Sequence, residues 1–123
     1  MSKINETLEE LKTQVLLLLE DLLNTCPDAD IIAARFYFEH GLTSKKIMDG
    51  FIQYVYPWKD KIKRHDRTFF EQNDYIFGPL PIDKVAKFKV MLKDGTFDQS
   101  DIDTIWAYFD VFISLMDMYK KLS

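Results

Sequence analysis

Two imidazoles, one thiol and a dense run of cations are the side chains of this 123-residue chain whose chemistry could build a site. His40 and His65 are the only histidines, and neither has a partner three or four positions away, the spacing that a helical metal pair or general-base pair uses. Both read as structural, and His65 shares an apolar arc with Trp58 and Ile62 that favours a partly buried ring. Cys26 is the single cysteine, so no intrachain disulfide forms and the fold must rest on its core. It has no basic neighbour and precedes Pro27, which marks it as an inert thiol and not a nucleophile. The run Asp94-Gly95-Thr96-Phe97-Asp98 has the outline of the middle of a calcium-binding EF-hand loop. Its register fails, because the first and third ligand positions fall on Val90 and Leu92 and the last on Asp101 in place of a bidentate glutamate. No metal, no cofactor and no catalytic residue is therefore expected, and the chain reads as a non-enzyme.

The cations are the stronger signal. Lys59, Lys61, Lys63, Arg64 and Arg67 crowd one segment, with Lys45 and Lys46 before it and Lys84, Lys87, Lys89 and Lys93 after. Phosphate binding needs such charges to converge on one surface, because affinity grows with the counterions each contact releases. Asp49, Asp60, Asp66 and Glu71 lie within or beside the run, and the net charge of −4 opposes non-specific binding to nucleic acid. Residues 1–44 carry a net −5, residues 45–93 a net +5 and residues 94–123 a net −4. This acid–base–acid layout suits a basic face that meets water or the acidic ends of another subunit. A nucleic-acid partner on Lys59, Lys61, Lys63, Arg64 and Arg67 is the alternative reading.

These residues need elements to position them, and the apolar spacing supplies helices. Ile4, Leu8, Leu11, Val15, Leu18 and Leu22 form one stripe of an opening helix, and Leu16, Leu17, Leu19 and Leu23 widen it. Pro27, Asp28 and Asp30 start a second helix that runs to about His40, closed by Gly41, although Arg35-Phe36-Tyr37-Phe38 also suits a strand. Thr43 or Ser44 caps a third helix with Ile47, Met48, Phe51, Ile52, Tyr54 and Val55 at helical spacing, interrupted by Pro57. Trp58, Ile62, His65 and Phe69 then fall on one arc of a helix over 58–69, which turns the cations outward. Residues 71–81 read as a loop anchored by Tyr75, Ile76, Phe77 and Leu80, followed by a helix from about Pro81 to Leu92. Ser100 is the expected cap of the last helix, whose stripe runs from Ile102 through Ile105, Trp106, Phe109, Phe112 and Met116, with a second at Tyr108, Val111, Leu115 and Met118.

From about residue 62 to residue 121 the order of residues resembles small helical proteins of unassigned role encoded by nucleocytoplasmic large DNA viruses. The likeness rests on Asp66-Arg67-Thr68-Phe69-Phe70, Asn73-Asp74, Phe77-Gly78-Pro79-Leu80-Pro81, Val85, Phe88 and Lys89. Ile105-Trp106-Ala107-Tyr108-Phe109 and Met118-Tyr119-Lys120-Lys121 complete it. It implies a protein of the infected-cell cytoplasm or the virion, and it carries over no catalytic residue.

The expectation is thus an all-α fold, a single domain over residues 1–123, built as a compact bundle of five or six helices around a long N-terminal and a long C-terminal helix. Its expected role is protein–protein interaction or structure, self-associating or docking on a larger assembly. Tyr75, Phe77, Tyr108, Leu115 and Met118 are the candidate interface anchors. The longest apolar run, Val15 to Leu19, is far short of the roughly 20 residues a bilayer span needs. Glu6, Glu9 and Glu10 stand where a secretion signal would carry basic and apolar residues, so the cytoplasm is the expected compartment.

Overall fold

The structure is a computed structural model that describes residues 2–123. It contains seven α-helices and no strand among the described residues: α1 (Lys3–Thr25), α2 (Ala29–Phe36), α3 (Ser44–Tyr54), α4 (Lys59–Lys63), α5 (Thr68–Gln72), α6 (Ile82–Lys93) and α7 (Gln99–Leu122). The all-α class and the two long terminal helices agree with the sequence. The expected count of five or six does not, because the single helix foreseen over 58–69 is broken in two.

Helix α1 packs along α7 as the most extensive pairing in the molecule, and α3 and α2 cover further sides of α1. The stripe read from sequence is the buried one: Leu8, Leu11, Val15, Leu18 and Leu22 all lie in the core. Its counterpart on α7 buries Ile102, Ile105, Trp106, Phe109, Phe112, Ile113 and Met116. Aromatic rings fill the space between α7 and the shorter helices. Phe109 meets Phe69 edge-on at 5.3 Å and Phe112 at 5.2 Å, and Phe112 meets Phe51 at 5.4 Å. Each such ring removed from water is worth about 1.5–3 kcal/mol, and edge-on contact adds to it.

The helix ends show how local chemistry sets the boundaries. Ser2 caps α1 by accepting from the Asn5 N–H, and Thr43 caps α3 by accepting from Lys46. The cap of α7 is Asp98, not Ser100. Asp98 accepts from the Asp101 N–H at 2.9 Å while the Asp101 carboxylate accepts from the Asp98 N–H at 3.0 Å, a reciprocal box that a serine two residues later is out of position to make. The second helix stays regular only to Phe36 and then widens into a π-helical turn over Tyr37–Gly41.

Between α3 and α5 a 3₁₀ turn over Tyr56–Trp58 admits Pro57, and α4 follows for little more than one turn. His65 then takes the left-handed region, φ 53°, which ends the helical path. Ile62 and Phe69 still reach the core from either side of that turn, so the apolar arc survives although the helix does not.

Candidate functional site

The five cations singled out from sequence are largely spent inside the molecule. Lys59 donates to the Tyr56 hydroxyl at 3.2 Å and lies 3.9 Å from the Asp117 carboxylate, and the Tyr56 contact, first of all, raises its pKa. Lys61 sits 3.8 Å from Asp66, and the Arg67 guanidinium donates to the Leu92 carbonyl at 3.1 Å, tying α5 to the end of α6. Lys63 and Arg64 are exposed and make no ion pair among the described residues. Two free cations at one turn are a small footprint for a phosphate backbone.

The histidines and the thiol fare similarly. His65 is 45% exposed at the side chain, more open than the sequence suggested. Its ring stacks flat on Trp106, 5.1 Å between centroids and 5° between planes, and its Nε2 lies 2.8 Å from the Asp110 carboxylate. A histidine–aspartate pair of this kind orients a general base, yet no hydroxyl or thiol among the described residues hydrogen-bonds to it. His40 is exposed beside Phe36, 4.7 Å between rings, and Cys26 is half-buried. Asp94 serves its own turn, accepting from the Thr96 hydroxyl and N–H, with the hydroxyl as the main reason its carboxyl lies below the usual range. No group of three metal-ligating side chains occurs among the described residues.

Of the expected interface anchors, one is corrected. Phe77 is held in the core against Phe88 at 4.8 Å, so its ring is not offered to a partner, whereas Leu115 is mostly buried and shows an edge in the groove beside Met118. Tyr75 is partly exposed and stacks on Tyr54 at 4.4 Å. Tyr108 donates its hydroxyl to Asp21 at 2.6 Å, and burial first, then this bond, pushes its pKa up to about 12. Met118 is half exposed in an open groove bordered by Lys3, Glu6 and Glu10, and its sulfur accepts from the Thr7 hydroxyl.

The surface that stands out lies instead on α2. The sequence Ala29-Asp30-Ile31-Ile32-Ala33-Ala34-Arg35-Phe36 is apolar on both sides of the helix. Ile31 and Ala34 point to the core, which leaves Ala29, Ile32, Ala33 and Phe36 facing water with no charged residue among them. Phe36 is 65% exposed and Ile32 54%, the former the most exposed large apolar side chain among the described residues.

Both ends of this face are built rigidly. At its start Asp28 accepts from the Asp30 N–H, and Lys87 of α6 clamps Asp28 at 2.8 Å and Asp30 at 3.3 Å. The Lys87 ammonium holds the Asp28 carboxyl below its usual range, and the two carboxylates, Asp28 first, raise Lys87. At its end Lys12 reaches from α1 to the carbonyls of Glu39 and Leu42, at 3.1 and 3.2 Å, and so satisfies acceptors that the π turn leaves open. Gly41 completes the turn: a Cβ there would come within 2.7 Å of the Tyr37 ring, which needs that space to lie where it does.

Beside the face is a socket. Ala33, Ala34 and Tyr37 from the α2 side, Leu80 and Pro81 from the loop before α6 and Lys84 from α6 line a solvent-open cleft of about 220 Å³. This is below the roughly 300–1,000 Å³ of small-molecule sites and fits one apolar side chain. Neither Ile32 nor Phe36 is among the anchors expected from sequence; the signal for them is that α2 is apolar nearly all round, which demands cover on more sides than a short peripheral helix receives.

Comparison with protein-family models, with curated proteins and with solved structures finds no match for this chain. No helix among the described residues is long and apolar enough to cross a membrane.

Proposed function

We propose that this chain is a non-enzymatic docking module that binds protein through the outward face of α2. The observation that carries this reading is the uninterrupted apolar surface of Ala29, Ile32, Ala33 and Phe36 beside a side-chain-sized socket. An exposed apolar patch with a polar rim marks an interaction site, and Phe and Tyr are enriched at the centres of such sites. The clamps at Asp28 and Lys12 support it further, since a pre-ordered helix loses little entropy on binding. The resemblance of residues 62–121 to proteins of large DNA viruses would place that partner in the infected-cell cytoplasm or the virion. The nucleic-acid alternative gains no comparable support, because Lys59, Lys61 and Arg67 are already engaged.

The test is a photo-activated cross-linking residue placed at position 36 and, in a second variant, at Glu9 on the exposed side of α1, each expressed in the cells that make the protein. A protein adduct at position 36 and none at position 9 is expected. No adduct at 36, or equal adducts at both, would overturn the reading.

A further inference from the structure

We propose that the occupant of the α2 face is a second copy of this chain, joined about a two-fold axis that runs along α2; this rests on the docking reading above. The argument is one of position. At about 100° per residue, Phe36 projects from one flank of the face, and the socket-lining Ala33 and Tyr37 lie about 60° and about 100° round from it toward the other. Phe36 also lies within about 2 Å of the mean height of Ala33 and Tyr37 along the helix. Knob and hole therefore stand at one level on opposite flanks.

A two-fold axis parallel to the helix exchanges the flanks and preserves height, so it seats each Phe36 in the other copy's socket. An antiparallel pairing returns each flank to its own kind, socket over socket and Phe36 toward Phe36. Ala29 and Ala33 fall between Phe36 and Tyr37 round the helix, Ala33 at the near edge of the socket, and their methyl groups are small enough for the two helices to approach closely.

The charges fit the same operation. Lys84, on the socket's rim, makes no ion pair among the described residues, whereas its neighbour Lys87 is answered by Asp28 and Asp30. On the opposite flank Arg35 is shared between Glu39 at 2.7 Å and Glu20 at 3.8 Å, with His40 Nε2 3.9 Å from Glu39 and the Lys12 ammonium on the Glu39 carbonyl. The parallel two-fold carries each Lys84 to the side of the interface that holds the other copy's Glu20 and Glu39 carboxylates, so a cation without an ion pair faces two carboxylates twice in one interface. Because the same patch serves both partners, the contact closes at a dimer and propagates no filament.

The experiment uses the full chain with Cys26→Ser as background. Ala33→Cys is expected to form an intermolecular disulfide under mild oxidation, since its Cβ lies close to the axis and faces its counterpart, and Thr13→Cys on exposed α1 to form none. Sedimentation of the unmodified chain is expected to give the mass of a dimer, Phe36→Glu the mass of a monomer with unchanged circular dichroism. Lys84→Glu should raise the dimer dissociation constant about tenfold. A dimer that Phe36→Glu dissolves but Ala33→Cys fails to link would overturn the parallel two-fold. A monomer at about 100 µM, together with a position-36 adduct of foreign mass, would overturn the second copy and leave the docking reading standing. The absence of any adduct at 36 would sink both.

Discussion

A Cβ added to Gly50 of α3 would lie 2.7 Å from Cδ of Pro79, so the loop that leads into α6 rests directly on the backbone of α3. The loop is pinned on either side of that contact. Asn73, buried, donates from Nδ2 to the Tyr54 carbonyl at 2.8 Å and accepts from the Tyr75 N–H at 2.9 Å. Gly78 takes φ +63° with the Phe51 ring where a side chain would stand. Leu80 and Pro81, the socket's outer wall, are thus placed by a glycine some thirty positions earlier in the chain.

Gly50→Ala is expected to destabilise the fold by about 1–3 kcal/mol, because neither the helix backbone nor the proline ring has room to yield. Urea denaturation reads the change. The same variant is expected to weaken association through the α2 face, since Pro79 cannot move without Leu80 and Pro81. A variant as stable as the parent would show that the close approach is relaxed in solution.

Tyr108 gives the molecule a dependence on alkaline pH. Its folded pKa, about 12, lies above the ordinary 10, so the folded state favours the protonated phenol. That stability is fully present below pH 10 and is lost as the pH rises through about 12. Melting temperature followed across this window should fall more steeply in the parent than in Tyr108→Phe, which has no phenol to ionise. Parallel curves would remove the Asp21 bond and the burial of this hydroxyl as causes.

The long helices were legible because their stripes repeat for many turns: Leu11, Val15 and Leu18 of α1, and Ile105, Phe109 and Phe112 of α7, are all fully buried. Short elements were not, for a physical reason that Ile62 and Phe69 illustrate. Their spacing satisfies a helix, yet a left-handed turn at His65 delivers both to the same core, and periodicity is blind to the turn between them. The α2 face shows the complementary limit. Ile32 and Phe36 have the residue types of a core, and only the packing of the other helices decides that they stay outside it. Phe77 shows the reverse, expected outside and found within.

His65 allows backbone strain to be separated from side-chain contact. Valine and glycine both lack the ring that stacks on Trp106 and bonds Asp110, so the difference between these two substitutions isolates the left-handed conformation. His65→Val is expected to be less stable than His65→Gly by about 1–2 kcal/mol, because a β-branched side chain meets the following carbonyl where glycine has nothing. Equal stabilities by thermal unfolding would mean that residue 65 leaves the left-handed region when its ring is lost.

The two candidate caps of α7 make a direct comparison. Asp98→Ala should cost about 0.5–2 kcal/mol, since it leaves the Asp101 N–H without its acceptor and releases the reciprocal bond. Ser100 is exposed inside the first turn, so Ser100→Ala should change stability by less than about 0.5 kcal/mol. Matched losses would restore the serine as the cap.

Lys12 tests whether the π turn is held from outside. The helical path ends at Gly41, which leaves the carbonyls of Glu39 and Leu42 at its C-terminal end without a following N–H, and a half-buried ammonium from α1 answers both. Lys12→Met keeps the length and the apolar stem of the side chain but removes the donor, so it should cost about 1.5–3 kcal/mol, the usual worth of hydrogen bonding to a charged group. Amide exchange should quicken across residues 37–42 while α1 itself stays protected. Because Tyr37 lines the socket, association through the α2 face should weaken in parallel. Unchanged exchange in that segment would mean that Arg35–Glu39 and the Gly41 contact suffice to hold the turn, and that Lys12 merely fills space beside it.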